Sequence, residues 1–401
     1  MKRYELKNKI SISESTMAGV LHTSHIYFNP KVLSFEMSPT ANILEFHQKL
    51  PFYVPTRLVE APFVAKRLGV RHVWVKDESS RFGLPAYKIL GASWATYREL
   101  ETRFGPFQPW SNLDELREQL KDLDITLVTA TDGNHGRAVA RMARWLGLKA
   151  HVFVPDDMVH ARREAIKNEG AQIEIVNGTY DDAITKLTRI GGDKYLVISD
   201  TAWEGYERVP TWIVEGYGTI FREIDEQLRT LEAEQPHLVA VQMGVGSLAA
   251  SVVRHYRSPN RTTHILGVEP THAACVLRSL EADELKEVPG PHISIMAGLN
   301  CGKPSPLAWP LLRNGLSGSV AVDDSFAEEA MRLLAQDEVI SGESGAAGLA
   351  GLLAVLTERN EADTMRQKLG IDQNSTVLII STEGATDPQA YVRIVGSMPN
   401  I

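Results

Sequence analysis

The chain has 401 residues, 43% hydrophobic and 23% charged, with a formal net charge of -8. That length supports two domains with sizeable cores, and the acidic balance argues against nucleic acid or an anionic membrane surface as a partner. Two cysteines, Cys275 and Cys301, are too few for a disulfide scaffold and lack metal-ligand spacing, so no metal site is expected.

In chain order, the first fifty residues show little periodicity and read as a segment that wraps the body or joins a subunit contact. Lys2, Arg3, Lys7 and Lys9 have no apolar core behind them, so no secretory signal is expected and the protein is read as a cytoplasmic enzyme. From about residue 70, short β-branched runs alternate with helical periodicity. The predicted strands are Val73–Lys76, Ile125–Thr129, Val152–Val154, Ile173–Val176, Leu196–Ile198, Leu238–Gln242, Ile265–Val268 and Val377–Ile380. Between them Arg137–Leu146 carries Val139, Met142, Ala143 and Leu146 at helical spacing, and Ser325-Phe326-Ala327-Glu328 reads as a capping box opening a helix through Met331 and Leu334. Apolar strands separated by helices predict an α/β protein with parallel sheets covered on both faces. No apolar run reaches the length of a membrane span; Leu238 to Val253 comes nearest, and Gly244 and Gly246 break it.

Four segments carry chemistry. Lys88 follows Tyr87 inside the Gly/Pro-punctuated turn Arg81–Tyr87, and Gly91-Ala92 then opens an apolar helix. A lysine that forms a Schiff base must be desolvated enough to shed its proton, and this setting suits one. Thr131-Asp132-Gly133-Asn134-His135-Gly136 lies between a strand and a helix, where backbone amides can hold a carboxylate. Asn134 can donate to a phenolate oxygen, Asp132 can serve as an N-cap, and His135 reads as a structural member of the loop. Gly244-Val245-Gly246-Ser247 follows a predicted strand and precedes a helix over Leu248–Tyr256, the geometry of an anion cradle, although neither the dinucleotide fingerprint nor a P-loop is complete. Ser381-Thr382-Glu383-Gly384 supplies late hydroxyls. Lysine, asparagine loop, glycine loop and hydroxyl, in that order, match the parts of an enzyme that uses pyridoxal 5'-phosphate (PLP).

These segments also carry a resemblance. The chain is similar to fold-type II PLP enzymes, the group of threonine dehydratase and tryptophan synthase β, and most closely resembles the diaminopropionate ammonia-lyase family. The matching motifs are Arg81–Lys88, Thr131–Gly136, Asp200–Tyr206, Ile295–Gly302, Ile340–Ala346 and Ser381–Gly384, spread from roughly Phe46 to the end. The phosphate loop departs from the family's Ala-Met-Ala-Gly by reading Ser247-Leu248-Ala249-Ala250.

The resemblance implies two lobes: a large PLP-binding domain from 1–90 and 226–401, and a small domain inserted at 91–225. Lys88 would form the Schiff base with PLP, Asn134 would meet its phenolate, and Gly244, Val245, Gly246, Ser247 and Leu248 would cradle its phosphate. Ser381 or Thr382 would face the pyridine nitrogen. An amino-acid substrate would contact Thr131, Asp132, Gly133, His135 and Tyr206. Asp132 and Asp200 set the family apart from the dehydratases, because a β-amino group leaves readily only when protonated. The implied reaction is α,β-elimination of D- or L-2,3-diaminopropionate to pyruvate and two ammonia, with Lys88 as base for the L-isomer and Asp132 for the D-isomer. A serine or threonine dehydratase, or a β-replacement synthase sharing the aminoacrylate intermediate, are the alternatives. A homodimer is implied, and a disulfide between Cys275 and Cys301 is left open.

Overall fold

The computed structural model describes residues 11–17, 20–35, 42–357 and 362–398. Twelve strands form two sheets. They are β1 (Ser11–Met17), β2 (Val20–Phe28), β3 (Leu58–Glu60), β4 (His72–Asp77), β5 (Thr126–Ala130), β6 (Lys149–Pro155), β7 (Gln172–Val176), β8 (Tyr195–Val197), β9 (Leu238–Gln242), β10 (His264–Pro270), β11 (Gly318–Val322) and β12 (Thr376–Ser381). The eight-stranded sheet runs β1-β2-β11-β10-β9-β12-β4-β3, and the four-stranded sheet runs β7-β6-β5-β8. All eight strands expected from periodicity are present. β11, β3 and the β1–β2 pair are additional.

The middle of the larger sheet, from β11 to β4, is parallel. Its strands are buried almost throughout and mostly apolar because helices cover both faces, so no solvent-facing alternation marks them. The edges are antiparallel: β2 pairs with β11 and with β1, and β3 with β4. The early chain therefore does wrap the body, as an edge of this sheet. The helix Glu343–Thr357 is buried from Glu343 to Leu356 and packs against β9, β10, β11 and β12. A helix apolar on all sides belongs in such a place. The four-stranded sheet is wholly parallel and comes entirely from residues 126–197.

One expected helix start moves. The helix through Met331 and Leu334 spans Asp324–Gln336, after an extended Asp323, so Ser325 lies in its first turn and does not open it. Asp323 stands at the boundary without a side-chain cap to the first turn, its carboxylate accepting instead from Thr271 Oγ1, so the box pattern places the start two residues late.

The turn before Lys88 is fixed by buried charge. Lys76 Nζ donates to Glu223 Oε2 at 2.8 Å, to Thr56 O at 2.8 Å and to Gln227 Oε1 at 2.9 Å. Arg81 clamps Glu78 at 2.7 and 2.8 Å and Glu223 at 2.7 and 2.8 Å. Lys76, Glu78 and Arg81 are fully buried and Glu223 nearly so. Burial alone would push the Glu223 carboxyl up, yet Arg81 and Lys76 hold it down at about 2. The stabilisation is thus present above an ordinary carboxylate's titration range and is lost only as the pH falls toward about 2. Glu223→Gln leaves two buried cations sharing one carboxylate, and a loss of about 3–5 kcal/mol is expected. Chemical denaturation of the holoenzyme measures it, and a loss below about 1 kcal/mol would mean the network is not a strong constraint on the fold.

Candidate active site

Every functional loop leaves the C-terminal end of a parallel strand, where open α/β sheets place ligands. β4 leads through the turn Arg81–Gly83 to Lys88, the first residue of the helix Lys88–Phe104. β5 leads to Asp132 and the helix Asn134–Leu146, β8 to Asp200, β9 to Gly244 and the helix Ser247–Tyr256, and β12 to Thr382. One pocket between the two sheets is lined by Lys88, Asp132, Asn134, Asp200, the Gly244–Leu248 turn and Thr382.

Lys88 Nζ donates to Asp200 Oδ2 at 2.5 Å, with 20% of the lysine side chain exposed. Burial pushes the amine down, but the Asp200 carboxylate overrides it and holds Lys88 well above the usual lysine range. The expectation of an amine desolvated enough to shed its proton meets an opposing contact, since the Asp200 carboxylate favours the charged form of Lys88. Its partner responds in kind. Burial would raise Asp200, while the charge and hydrogen bond of Lys88 pull it well below the usual carboxylate range. Asp132 stands in the same pocket without that contact, and burial raises its carboxyl, with Lys88 and Arg162 opposing. Two carboxylates of opposite tendency thus share one site.

The loop around Asp132 is internally tied. Thr131 Oγ1 accepts from Gly133 N at 2.9 Å and Gly136 N at 3.0 Å, so its hydroxyl serves the loop. Gly136 is required, since a Cβ would stand 2.3 Å from Thr131 Cγ2. Gly133 lies behind the pocket wall, against Arg162. His135 reaches the wall, but its Nε2–H donates to Ile198 O at 2.9 Å, and burial keeps the ring neutral. It ties the Asp132 loop to the strand that delivers Asp200. Asn134 Nδ2 donates to Glu383 Oε2.

Two expected contacts are displaced. Ser381 is buried and pairs with Ser341 Oγ at 2.8 Å, away from the wall, whereas Thr382 lines it and accepts from Gln242 Nε2 at 2.8 Å. Strand alternation turns successive side chains to opposite faces, so only one of the two hydroxyls can face the pocket. Tyr206 is not on the wall. Its hydroxyl donates to Val197 O at 2.7 Å and accepts from Ser199 N at 3.0 Å, and its ring stacks on Trp203 at 4.1 Å. It clasps the Asp200 loop from behind.

Other wall residues escaped the sequence reading. Tyr180 Oη lies 3.3 Å from Thr201 Oγ1 and 3.5 Å from Asp200 Oδ1. Gln242 binds Thr382, and Glu383 binds Asn134. Gln242 had a signal, a polar side chain ending an apolar strand before a glycine turn; Tyr180, in a separate helix, had none. Cys275 and Cys301 are both buried free thiols near the Gly244 turn.

Comparison with known proteins follows the same line. The pyridoxal-phosphate dependent enzyme family matches residues 49–382. A diaminopropionate ammonia-lyase of Salmonella typhimurium is 40% identical over 88% of this chain and 91% of its own length. One from Escherichia coli K12 is 38% identical over 90% and 92%. The solved structure of the Escherichia coli enzyme in complex with D-serine superposes with a TM-score of 0.84 at 36% identity, covering 93% of this chain and 97% of that one. The same enzyme in complex with an aminoacrylate-PLP azomethine reaction intermediate gives a TM-score of 0.82 at 34% identity, covering 96% and 97%.

Removing the Asp200 charge leaves burial dominant at Lys88. In Asp200→Asn the apoprotein's Lys88 should become nucleophilic at a pH lower by at least about one unit. Reductive labelling with a small aldehyde across pH, mapped to Lys88, reads this directly, and an unchanged midpoint would contradict the pairing.

Proposed function

The chain belongs to the pyridoxal-phosphate dependent enzyme family, and we propose that its reaction is the α,β-elimination of 2,3-diaminopropionate to pyruvate and two ammonia. The observation that carries this reading is the company of Lys88: its amine shares one pocket with the carboxylates of Asp132 and Asp200, beside Glu383, which is engaged by Asn134.

The residues fit the cofactor. The Gly244–Leu248 turn runs into the N-terminus of the helix Ser247–Tyr256, and Gly246 adopts φ +96° where a Cβ would stand 2.5 Å from Leu312 Cδ1. That leaves a concave run of backbone amides for a phosphate. Lys88 would hold the aldehyde carbon, Asn134 the phenolate, and Thr382 the ring nitrogen with a neutral hydroxyl. When bound, PLP supplies an electrophilic carbon for an amine and a ring that withdraws electrons from Cα.

The chain supplies orientation and proton handling. With the amides of Gly133 and Gly136 taken by Thr131 Oγ1, the remaining amides at this helix N-terminus, those of Asn134 and His135, would face a substrate carboxylate. Lys88 Nζ takes the Cα proton of the L-isomer, and the Asp132 carboxylate, raised by burial toward the working range of a base, takes that of the D-isomer. The β-amine departs as ammonia once a proton from Asp132 reaches it, with the ionised Asp200 carboxylate able to hold the departing ammonium; water then releases the second ammonia with pyruvate. Tyr180 steadies the Asp200 carboxylate from the far side. Tyr206 and Trp203 keep the loop closed behind it.

In this reading residues 91–225 form the small domain, supported by a four-stranded sheet drawn only from 126–197. No helix among the described residues is long and apolar enough to cross a membrane. A cytoplasmic location is part of the reading, supported by two buried thiols left unpaired. So is a homodimer, supported by exposed apolar side chains such as Phe52 and Val54.

The assay is PLP-loaded protein with D- and L-2,3-diaminopropionate, serine and threonine, measuring pyruvate, 2-oxobutyrate and ammonia. Two ammonia per pyruvate from diaminopropionate is the expected result; serine turnover alone would reassign the enzyme to the dehydratases. Asp132→Asn should lower kcat for the D-isomer by about 100-fold or more and that for the L-isomer far less. Equal losses would remove the division of labour between Asp132 and Lys88.

A further inference from the structure

Gly91 lies one helical turn after Lys88, on the same face of the helix Lys88–Phe104. A Cβ there would stand 2.6 Å from Tyr217 Cε1, so the hydroxyl end of the Tyr217 ring lies against the helix close to the base of the lysine. Tyr217 joins the helices Arg208–Gly216 and Gly218–Thr230, a rigid corner. Its ring packs on that of Tyr87 at 4.8 Å, and Lys88 Nζ stands 5.5 Å from the centroid of the Tyr87 ring. Tyr217 is fully buried, and its Oη makes no hydrogen bond of good geometry among the described residues, although the Tyr87 phenol is close enough to act on it. A buried hydroxyl left unpaired is costly, and this one sits beside the side chain that the reaction requires to move.

Lys88 cannot stay on Asp200. As an ammonium locked to a carboxylate it is neither a nucleophile nor a base, and it occupies the carboxylate assigned to the leaving amine. We propose that Tyr217 is the positioning residue that receives the Lys88 amine when it leaves Asp200. The phenolic oxygen accepts from the ammonium; once the amine's proton has passed to water, which reaches the partly exposed side chain, the O–H donates to the lone pair of the neutral amine, and no proton passes to or from Tyr217. Burial holds the phenol well above its ordinary range, with Lys88 opposing, so the group offered is a neutral hydroxyl. The titratable groups facing Lys88 are Asp200, Asp132, His135, Tyr87, Tyr217 and Cys301. Tyr217 offers a neutral alternative to the Asp200 carboxylate. The inference rests on the elimination reading only for its activity arm.

The test is Tyr217→Phe, which removes one oxygen and keeps the ring. Two measurements decide it. The first is the rate at which the apoprotein captures PLP on Lys88, followed by visible absorbance across pH. It should fall about tenfold near neutral pH, the worth of one hydrogen bond, and converge with wild type at high pH, where Asp200 no longer holds a proton on the amine. The second is kcat for the two isomers of 2,3-diaminopropionate in the holoenzyme. The L-isomer, which uses Lys88 as base, should lose about tenfold, with KM and the D-isomer held within about threefold. Unchanged capture overturns the proposal, and so does an equal loss for both isomers, which is what a merely structural tyrosine would give. Should wild type turn over neither isomer, the elimination reading fails, while the capture rates still decide the role of Tyr217.

Discussion

The site is organised by one ion pair across the cleft. Lys88 belongs to the larger sheet's connection and Asp200 to the smaller sheet's, so their 2.5 Å contact joins the two sheets at the point where chemistry occurs. It also sets the electrostatics of everything nearby. With Lys88 charged, Asp200 is held ionised while Asp132 is raised by burial, although the two differ little in sequence context. A pair of like side chains thereby acquires unlike properties, which an elimination needs, since one proton is removed and another delivered.

The precision of that contact is inherited from farther down. Lys88 follows a turn anchored by Arg81, whose guanidinium is committed to Glu78 and Glu223 in a buried cluster balanced by Lys76. The cluster is no source of large net stability, because desolvation opposes it, but it permits few alternative arrangements. Asp200 is fixed by different means: Ser247 Oγ donates to its carbonyl at 2.8 Å, and the Tyr206 hydroxyl bridges Val197 and Ser199. The phosphate cradle and the loop that carries Asp200 are therefore linked through Ser247.

Much of this was legible in the sequence because parallel strands buried on both faces read as apolar runs, and each of the eight such runs became a strand. Of the strands that were not legible, β1, β2 and β3 make the antiparallel margins of the sheet, whereas β11 lies inside it, a five-residue strand that opens on Gly318 and Ser319 and so offers only a short apolar run. Lys88, Asp132, Asn134, Asp200 and the glycine turn were found through local punctuation that survives in one dimension. Thr382 could not be separated from Ser381 until the strand end fixed which hydroxyl faces the pocket. Tyr206 illustrates the opposite error, since adjacency in sequence to Asp200 suggested substrate contact and packing placed it behind the loop. The charge state of Lys88 was beyond reach, because it depends on a partner contributed by the other sheet.

The larger sheet also fixes an order of assembly. β4, which leads to the lysine, lies between β3 and β12, with Asp77 beside Ser381 in register. The four-stranded sheet, by contrast, draws on one continuous stretch and has its strands in hand by residue 197. During synthesis the inserted part can close its own sheet while the early strands still await a neighbour that has not left the ribosome, and pairings so distant in sequence form late. The pocket wall that holds Thr382 and Glu383 is the last piece delivered. A chain cut short before β12 lacks that wall, so competence to hold the cofactor marks a chain synthesised past residue 383.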